Sequence, residues 1–401
     1  MTPQAQCAAL AVCVFAATYA GAALLPLQEA LAGSMALNDN HIAFLQGPLR
    51  FVPLAVLAVP FGLMIDRFNR IHLLTVFIGV GVVANIGTAL AADVTTLTLW
   101  RLTAGVSTLF LPVVYSLLSD LLKPEQRGRA VMVVGLSQVA GMSAAFAIGG
   151  SVFEAIGAWR PSLVLMSAPV IVIALGILVL EEPPRSNADD GRGSTRASFL
   201  KLWQLRRVVA PLIAGEMLLQ LPIVSIQVWA APTLSRVFEL GAGQAGRIVA
   251  TALLAGGVIG PILGGYLADF RQKKHGPRSV TSAAAAAAVL CTAPALFPLL
   301  PDDRAAIVTL IAFYTGAVVT SVIGMTLFAV TVPATVRGLS FSIAIGASLV
   351  FAGVAPVLVS SLSGAIRGPE GIGSALALVC GGSTLLASGV YFSLRRRLAT
   401  S

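Results

Sequence analysis

Long apolar stretches separated by short polar ones fill this chain, and they constrain its fold more than any other feature. A helix needs about 20 predominantly apolar residues to cross a bilayer, and twelve such stretches can be placed in the 401 residues. The first six lie at 6–26, 42–64, 72–92, 97–121, 130–152 and 162–180. The second six lie at 207–229, 245–268, 279–299, 305–330, 339–362 and 373–394. The sequence therefore predicts an all-α membrane protein with twelve transmembrane helices.

Composition and charge agree with a lipid environment. Hydrophobic residues make up 57% of the chain and charged residues 11%, and a soluble domain of this kind would expose large apolar patches. Most of the basic residues behind the net charge of +9 lie in alternate loops. Because positive loops are retained inside the cell, we expect a multi-pass protein of the cell inner (plasma) membrane with both termini cytoplasmic. The charges are dispersed, which argues against nucleic-acid binding.

Two short patterns occur once in each half of the chain, which indicates a duplication. Gly62 and Asp66 close the second predicted span with the spacing Gly-x-x-x-Asp, and Gly265 and Asp269 repeat it after the eighth. The loops after the fourth and tenth spans share a second pattern, carried by Pro124, Arg127 and Gly128 and by Pro333, Arg337 and Gly338. The predicted domains are an N-terminal six-helix bundle at 1–180, a cytoplasmic linker at 181–206 and a C-terminal six-helix bundle at 207–401.

The segment from Gly62 to Arg70 resembles the loop signature of the major facilitator superfamily, Gly-x-x-x-Asp-Arg-x-Gly-Arg-Arg. Asn69 stands in place of the second Gly and tolerates a left-handed backbone, and Ile71 replaces the last basic residue. The resemblance implies a cytoplasmic gate in which the carboxylate pairs with Arg near a helix N-terminus. The implied gating residues are Gly62, Asp66, Arg67, Arg70, Asp269 and Arg127. Alternatively, these charged loops only fix the topology.

Further motifs extend the resemblance over essentially the whole chain. The run from Arg101 to Gly105 is similar to the Arg-x-x-x-Gly motif of the fourth helix. The fifth helix carries Gly149 and Gly150 but lacks the Pro of the superfamily's antiporter signature. The resemblance implies the major facilitator fold, two pseudo-symmetric six-helix bundles that bind a solute near mid-membrane and work by alternating access as a monomer.

A looser similarity points to one subgroup. The run from Asp39 to Gly47 resembles the bacterial spinster-like branch, whose members include lysolipid transporters. The chain departs from that branch at Thr108, where a carboxylate is expected on the fourth helix, and at 19–22, where an acidic-basic pair is missing. These departures weigh against carrying over the mechanism of the branch.

One carboxylate is predicted deep in the membrane. Glu216 lies nine residues beyond Arg207, about 14 Å along a helix at ~1.5 Å per residue. A desolvated carboxyl group without a nearby cation favours its protonated form, which suits a group that carries protons. We expect Glu216 to contact the substrate or couple transport to protons. Alternatively, it is a buried carboxyl held by Gln220, one turn away, or by a neighbouring helix.

Two arginines are predicted at one level in the outer half of the membrane. Arg50 lies 16 residues before Asp66, about 24 Å along its helix, and Arg101 lies at a similar height. Two guanidinium groups attract an anion and do not lose their charge, so an anionic or zwitterionic substrate is expected. Alternatively, Arg101 tethers helices through backbone carbonyls and Arg50 reaches the outer headgroups.

Uncharged polar residues complete the expected site. Those assigned to the substrate cavity are Gln220, Tyr115, Tyr314 and Gln138. Each of them could instead form a hydrogen bond between helices. The three histidines lie far apart in loops, and the cysteines show no metal-ligand spacing, so neither an enzyme nor a metal or cofactor site is expected.

The predicted function is secondary active transport of a small anionic or zwitterionic organic solute, with proton coupling through Glu216. The expected partners are the substrate, protons and the lipid bilayer. A multidrug or lysolipid exporter of the same fold is the alternative within this class. A membrane sensor that does not transport is the alternative from a different class, although no segment is long enough for a soluble output domain.

Overall fold

The computed structural model describes residues 2–184, 195–366 and 371–397, and those parts of the chain are helical apart from turns and short connections. In the first half the helices are α1 (Pro3–Ala22), α2 (Gln28–Ser34), α3 (Asp39–Gln46), α4 (Pro48–Arg67), α5 (Arg70–Leu90), α6 (Val94–Ser107), α7 (Phe110–Leu121), α8 (Pro124–Ile156) and α9 (Trp159–Gly176). In the second half they are α10 (Thr195–Gln204), α11 (Arg206–Val237), α12 (Ala242–His275), α13 (Pro277–Thr292), α14 (Asp303–Thr331), α15 (Ala334–Ala365) and α16 (Gly371–Arg397). Single 3₁₀ segments occupy Leu25–Leu27, Ile177–Val179 and Pro294–Leu299.

The predicted spans correspond to these helices. In the described residues, 11 helical segments are long and apolar enough to cross a membrane. The remaining predicted span, 42–64, is covered by the end of α3 and by α4, which has 20 residues. The predicted fourth span is broken into α6 and α7, and Thr108 and Leu109 lie between them.

Polar caps explain where several helices begin. The side chains of Asn38, Asn69, Asp93 and Asp302 each accept a hydrogen bond from the backbone N–H three residues further on, at 2.8–3.0 Å. Each bond satisfies one of the N–H groups that a helix leaves without a partner in its first turn. The polar residues between the apolar runs therefore fix the starts of α3, α5, α6 and α14.

Glycines allow close helix packing inside the bilayer. A Cβ atom at Gly141 of α8 would overlap the carbonyl oxygen of Phe15 in α1, and one at Gly105 of α6 would overlap the carbonyl oxygen of Leu49 in α4. Lipid supplies no hydrophobic force between helices, so close backbone approach provides the packing. These positions hold α1 against α8 and α6 against α4.

The chain forms two compact units, one comprising Met1–Ala188 with Leu240–Leu254 and the other Asp189–Glu239 with Ala255–Ser401. The first contains α1 to α9 and the beginning of α12. The second has a core in which Leu212, Ile323, Phe328 and Tyr391 are fully buried. Of the predicted linker, 185–194 lies outside the described residues and the following part forms α10, where Leu202 packs on that core. The predicted domain boundaries stay predictions.

Candidate substrate and coupling sites

The first unit holds the predicted arginine pair. Arg101 on α6 is only 3% exposed, and its Nε atom is enclosed without a hydrogen-bond partner. Gly105, one turn along the same helix, packs directly against the backbone of Leu49 and Arg50. Arg50 is half-buried, and its guanidinium lies close enough for its charge to act on that of Arg101. The glycine contact therefore brings the two cations together.

No carboxylate in the described part of the chain lies within ion-pair distance of either guanidinium. Arg50 contacts the ring of Phe51, with its Cζ atom 5.6 Å from the ring centre. The amide oxygen of Gln46, on α3, is also buried without a hydrogen-bond partner. A buried charge and a half-buried charge of the same sign are unfavourable without a counter-charge. An anionic group bound beside them would relieve the repulsion and accept the Nε–H bond.

The second unit encloses Glu216. Its side chain, on α11, is 3% exposed. Ser321 of α14 donates a hydrogen bond to Oε2 at 3.0 Å, and Tyr391 of α16 donates one to Oε1 at 3.2 Å. Among the described residues no cation lies within ion-pair distance of the carboxyl. Three helices therefore meet at one buried acid.

Glycines shape this buried site. A Cβ atom at Gly324 would overlap both Glu216 Oε1 and the Tyr391 hydroxyl, and one at Gly215 would lie 2.7 Å from Tyr391 Cζ. No hydrogen bond joins Glu216 to Gln220, which is half-buried. Of the two readings of Glu216, the geometry matches a carboxyl held by neighbouring helices. Its role in substrate contact or proton coupling stays a prediction.

The remaining predicted cavity residues form two polar pairs, one in each unit. In the first, the side chain of Gln138 interacts with the hydroxyl of Tyr115, which is 39% exposed. In the second, Gln227 Nε2 donates to Tyr314 Oη at 3.4 Å. Both pairs join side chains of two helices, the alternative considered for these residues. Their contact with a substrate stays a prediction.

Arg70, predicted as a gating residue, is buried in a network inside the first unit. Its guanidinium forms ion pairs with Asp120 of α7 and with Glu182, whose Oε1 is 2.9 Å from Nε. It also donates to Ser116 Oγ at 3.1 Å and to the carbonyl oxygen of Pro183 at 3.1 Å. Arg70 therefore ties the start of α5 to the end of α7 and to the segment that follows the sixth span.

Other predicted gating residues lie on the surface. Gly62, Arg67 and Asp269 are exposed, and nothing lies within 4 Å of a Cβ atom built at Gly62. The side chain of Asp66 lies outside the described residues. The gating roles of these residues stay predictions.

Arg127 closes the turn after α7, and Arg337 does the same after α14. Arg127 Nε donates to the carbonyl oxygen of Leu122 at 3.3 Å, and Arg337 Nε donates to that of Val332 at 3.1 Å. In both cases donor and acceptor are five residues apart, and Arg127 also reaches the carbonyl oxygen of Ser119 at 2.7 Å. The repeated sequence pattern thus has a repeated structure, a helix end capped by a basic side chain.

Sequence reasoning missed the partners of the buried charges. Tyr391 is fully buried and bonds to Glu216, and Glu182 pairs with Arg70. A tyrosine in an apolar span signals that its hydroxyl needs a partner, but it does not say which one. Tyr391 and Glu216 are 175 positions apart, so no local sequence pattern shows that they pair.

These features define a multi-pass helical membrane protein that buries Arg70 and Arg101 in one helical unit and Glu216 in the other. Residues 8–356 match the sequence profile of the Major Facilitator Superfamily, and the chain belongs to that superfamily. It is accordingly a membrane transporter and not an enzyme. A search of curated proteins found no match.

Solved structures share the fold at low sequence identity. A bacterial homologue of the human lysosomal transporter Spinster, inward-facing and unoccupied, aligns with a TM-score of 0.80 and 18% identity over 99% of this chain and 98% of the other. Its occupied form gives 0.80 and 19%, covering 98% and 97%. The nucleoside transporter NupG, in a mutant form, gives 0.79 and 12%, covering 97% and 99%.

Proposed function

We propose that this protein transports an anionic or zwitterionic organic solute across the inner membrane by alternating access, coupled to protons. The observation that supports the solute class is the pair formed by buried Arg101 and half-buried Arg50, which has no carboxylate partner among the described residues. A solute with a carboxylate or phosphate group would supply the missing counter-charge.

The contribution of Arg101 to solute affinity can be estimated from the hydrogen bond that it would donate. A hydrogen bond to a charged group contributes about 1.5–3 kcal/mol, which corresponds to roughly a 10- to 100-fold change in affinity. Arg101→Gln should therefore raise the KM for the anionic solute by about that factor and change the KM for a neutral analogue little. Arg304→Gln, which removes an exposed arginine, is the matched control.

A binding screen must come before this kinetic test, since the solute has to be found first. Thermal unfolding of the purified protein would be measured against organic anions, lysolipids and cationic drugs at two pH values. Transport of the best ligand would then be followed in proteoliposomes. A KM for the anion that is unchanged in Arg101→Gln would refute the role of the pair.

Glu216 is the group proposed to carry the proton. It is buried between Ser321 and Tyr391 with no cation beside it in the described part of the unit, so either protonation state can be held by hydrogen bonds. Glu216→Gln keeps these partners but cannot release a proton. We expect it to abolish accumulation driven by a pH gradient while solute exchange continues. Normal proton-driven uptake in this variant would remove Glu216 from the mechanism.

A second candidate is export of a lysolipid or a drug. It is supported by the sequence similarity of Asp39 to Gly47 to the spinster-like branch and by the fold shared with the Spinster homologue. The same screen separates the candidates, because stabilisation by lysolipids or cationic drugs, and not by small anions, would favour export. Whole-cell accumulation with and without the protein tests the sensor alternative.

A further inference from the structure

We propose that the first unit binds an anionic phospholipid in a groove between α1, α7 and α8. This inference is independent of the transported solute. The groove has a volume of about 630 Å³, which is of the size that holds small ligands in proteins. We call it the α1–α7–α8 groove, and its lining is given by Thr2, Gln4, Cys7, Ala8, Leu118, Leu121, Leu122, Lys123, Gln126, Arg129, Ala130, Val133 and Val134.

One face of each helix builds the apolar part of the groove. On α8 the lining residues recur at 126, 129, 130, 133 and 134, the spacing of a single helical stripe. From Gln126 to Val134 the stripe is about 12 Å long at ~1.5 Å per residue. Ala130, Val133 and Val134 on this stripe face Leu118 and Leu121 of α7 across the groove. Such a surface suits an acyl chain.

The polar end of the groove carries positive charge. Lys123 and Arg129 are both exposed, and neither donates a side-chain hydrogen bond to another described residue. Lys123 is the N-cap of α8 and no side chain caps that helix, so the partial positive charge of the helix N-terminus lies at the same end. In the sequence 123–129 three basic residues outnumber the single acidic one, and Arg127 turns away to cap α7.

The positive charge and the apolar lining of the groove together indicate which kind of ligand it binds. The two cations and the amides of Gln4 and Gln126 lie at the starts of α1 and α8, and apolar lining residues lie further along both helices. A phosphate at Lys123 and Arg129 with its acyl chain along Val133 would satisfy both parts, since basic residues near the membrane surface attract anionic lipids. A zwitterionic lipid would lack the net charge, and a free phosphate would leave the apolar surface unused.

Cys7 provides a direct reporter of occupancy. Its thiol lines the groove and is half-exposed, whereas Cys13, Cys291 and Cys380 are buried. The test measures the rate at which a maleimide modifies Cys7 of the purified full-length protein in detergent, by intact mass. At a phosphatidylglycerol concentration of about ten times its Kd, the rate should fall about tenfold, because only the unoccupied protein reacts. Cys7→Ser identifies the labelled site.

Variants separate the two halves of the proposed recognition. In the double variant Lys123→Gln and Arg129→Gln, Cys7 should be labelled at the wild-type rate without lipid. Phosphatidylglycerol should no longer slow that labelling. Val133→Trp keeps both charges but fills the apolar part of the groove, so phosphatidylglycerol should not protect Cys7 in this variant either. Arg271→Gln with Lys273→Gln removes two exposed cations from α12 in the second unit and should keep full protection.

Three outcomes would overturn the proposal. Equal protection by phosphatidylcholine with the same acyl chains would show that the groove does not recognise the charge of the lipid headgroup. Protection by glycerol 3-phosphate alone would show a simple anion site. Full protection in the Lys123 and Arg129 double variant, or none in the wild type, would place the lipid elsewhere or nowhere.

Discussion

The contact between Gly324 and the buried acid gives a prediction whose sign can be worked out. Gly324→Ala would place a methyl group against Glu216 Oε1 and the Tyr391 hydroxyl, and the neighbouring Cδ atom would be only 3.3 Å away. Overpacking of a core costs about 1–3 kcal/mol, and displacement of the carboxyl loses a hydrogen bond of about 1 kcal/mol. Alanine regains about 1 kcal/mol of helix propensity over glycine. The net loss is therefore about 1–3 kcal/mol.

A matched substitution should act in the opposite direction. Nothing lies within 4 Å of a Cβ atom built at Gly389 on α16, in the same unit. Gly389→Ala therefore gains helix propensity without a clash and should be neutral or stabilising by up to about 1 kcal/mol. Thermal unfolding in detergent compares the two, with a shift of roughly 2–4 °C expected per kcal/mol.

The cause of the loss can be isolated with a third variant. In a Glu216→Ala background the clash with the carboxyl is gone and only the contact with the Tyr391 hydroxyl remains, so the cost of Gly324→Ala should be clearly smaller. The two changes are in contact and should be strongly non-additive. If Gly324→Ala is as stable as Gly389→Ala, or if its cost is the same with and without Glu216, the packing described for α11, α14 and α16 is wrong.

Two further predictions concern stability. Arg70→Gln breaks ion pairs with Asp120 and Glu182 and should lower the free energy of unfolding by about 3 kcal/mol, measured by thermal unfolding. Arg67→Gln, at an exposed position, should change it by less than about 0.5 kcal/mol. Equal effects of the two substitutions would contradict the Arg70 network. Arg127→Ala removes two bonds to the end of α7 and should cost about 2 kcal/mol, whereas Arg337→Ala removes one bond to the end of α14 and should cost about 1 kcal/mol. The costs should add in the double variant because the sites share no partner; a larger loss from Arg337→Ala than from Arg127→Ala would contradict these contacts.

The sequence predicted the helices well because lipid imposes a simple rule on them. Every span must be apolar, about 20 residues long and internally hydrogen-bonded, and hydropathy reads these properties directly. Hydropathy does not show where a helix ends once it has left the membrane. α8 runs from Pro124 to Ile156, well beyond the predicted 130–152, because polar residues continue the helix outside the apolar region.

The buried polar contacts were less predictable. Glu216, Arg50 and Arg101 could be singled out because a charge in the membrane needs an explanation. Their partners depend on how distant helices pack, and Arg70 meets residues 50 and 112 positions away. Periodicity within one helix shows which face is buried, but it cannot show which other helix covers that face.

The turns held by Arg127 and Arg337 have one more consequence. Arg127 bonds to carbonyl oxygens five and eight positions earlier, and Arg337 bonds to one five positions earlier. Each bend is therefore held by contacts within a short stretch of chain. Exchanging 119–129 for 329–339 should therefore leave both turns intact.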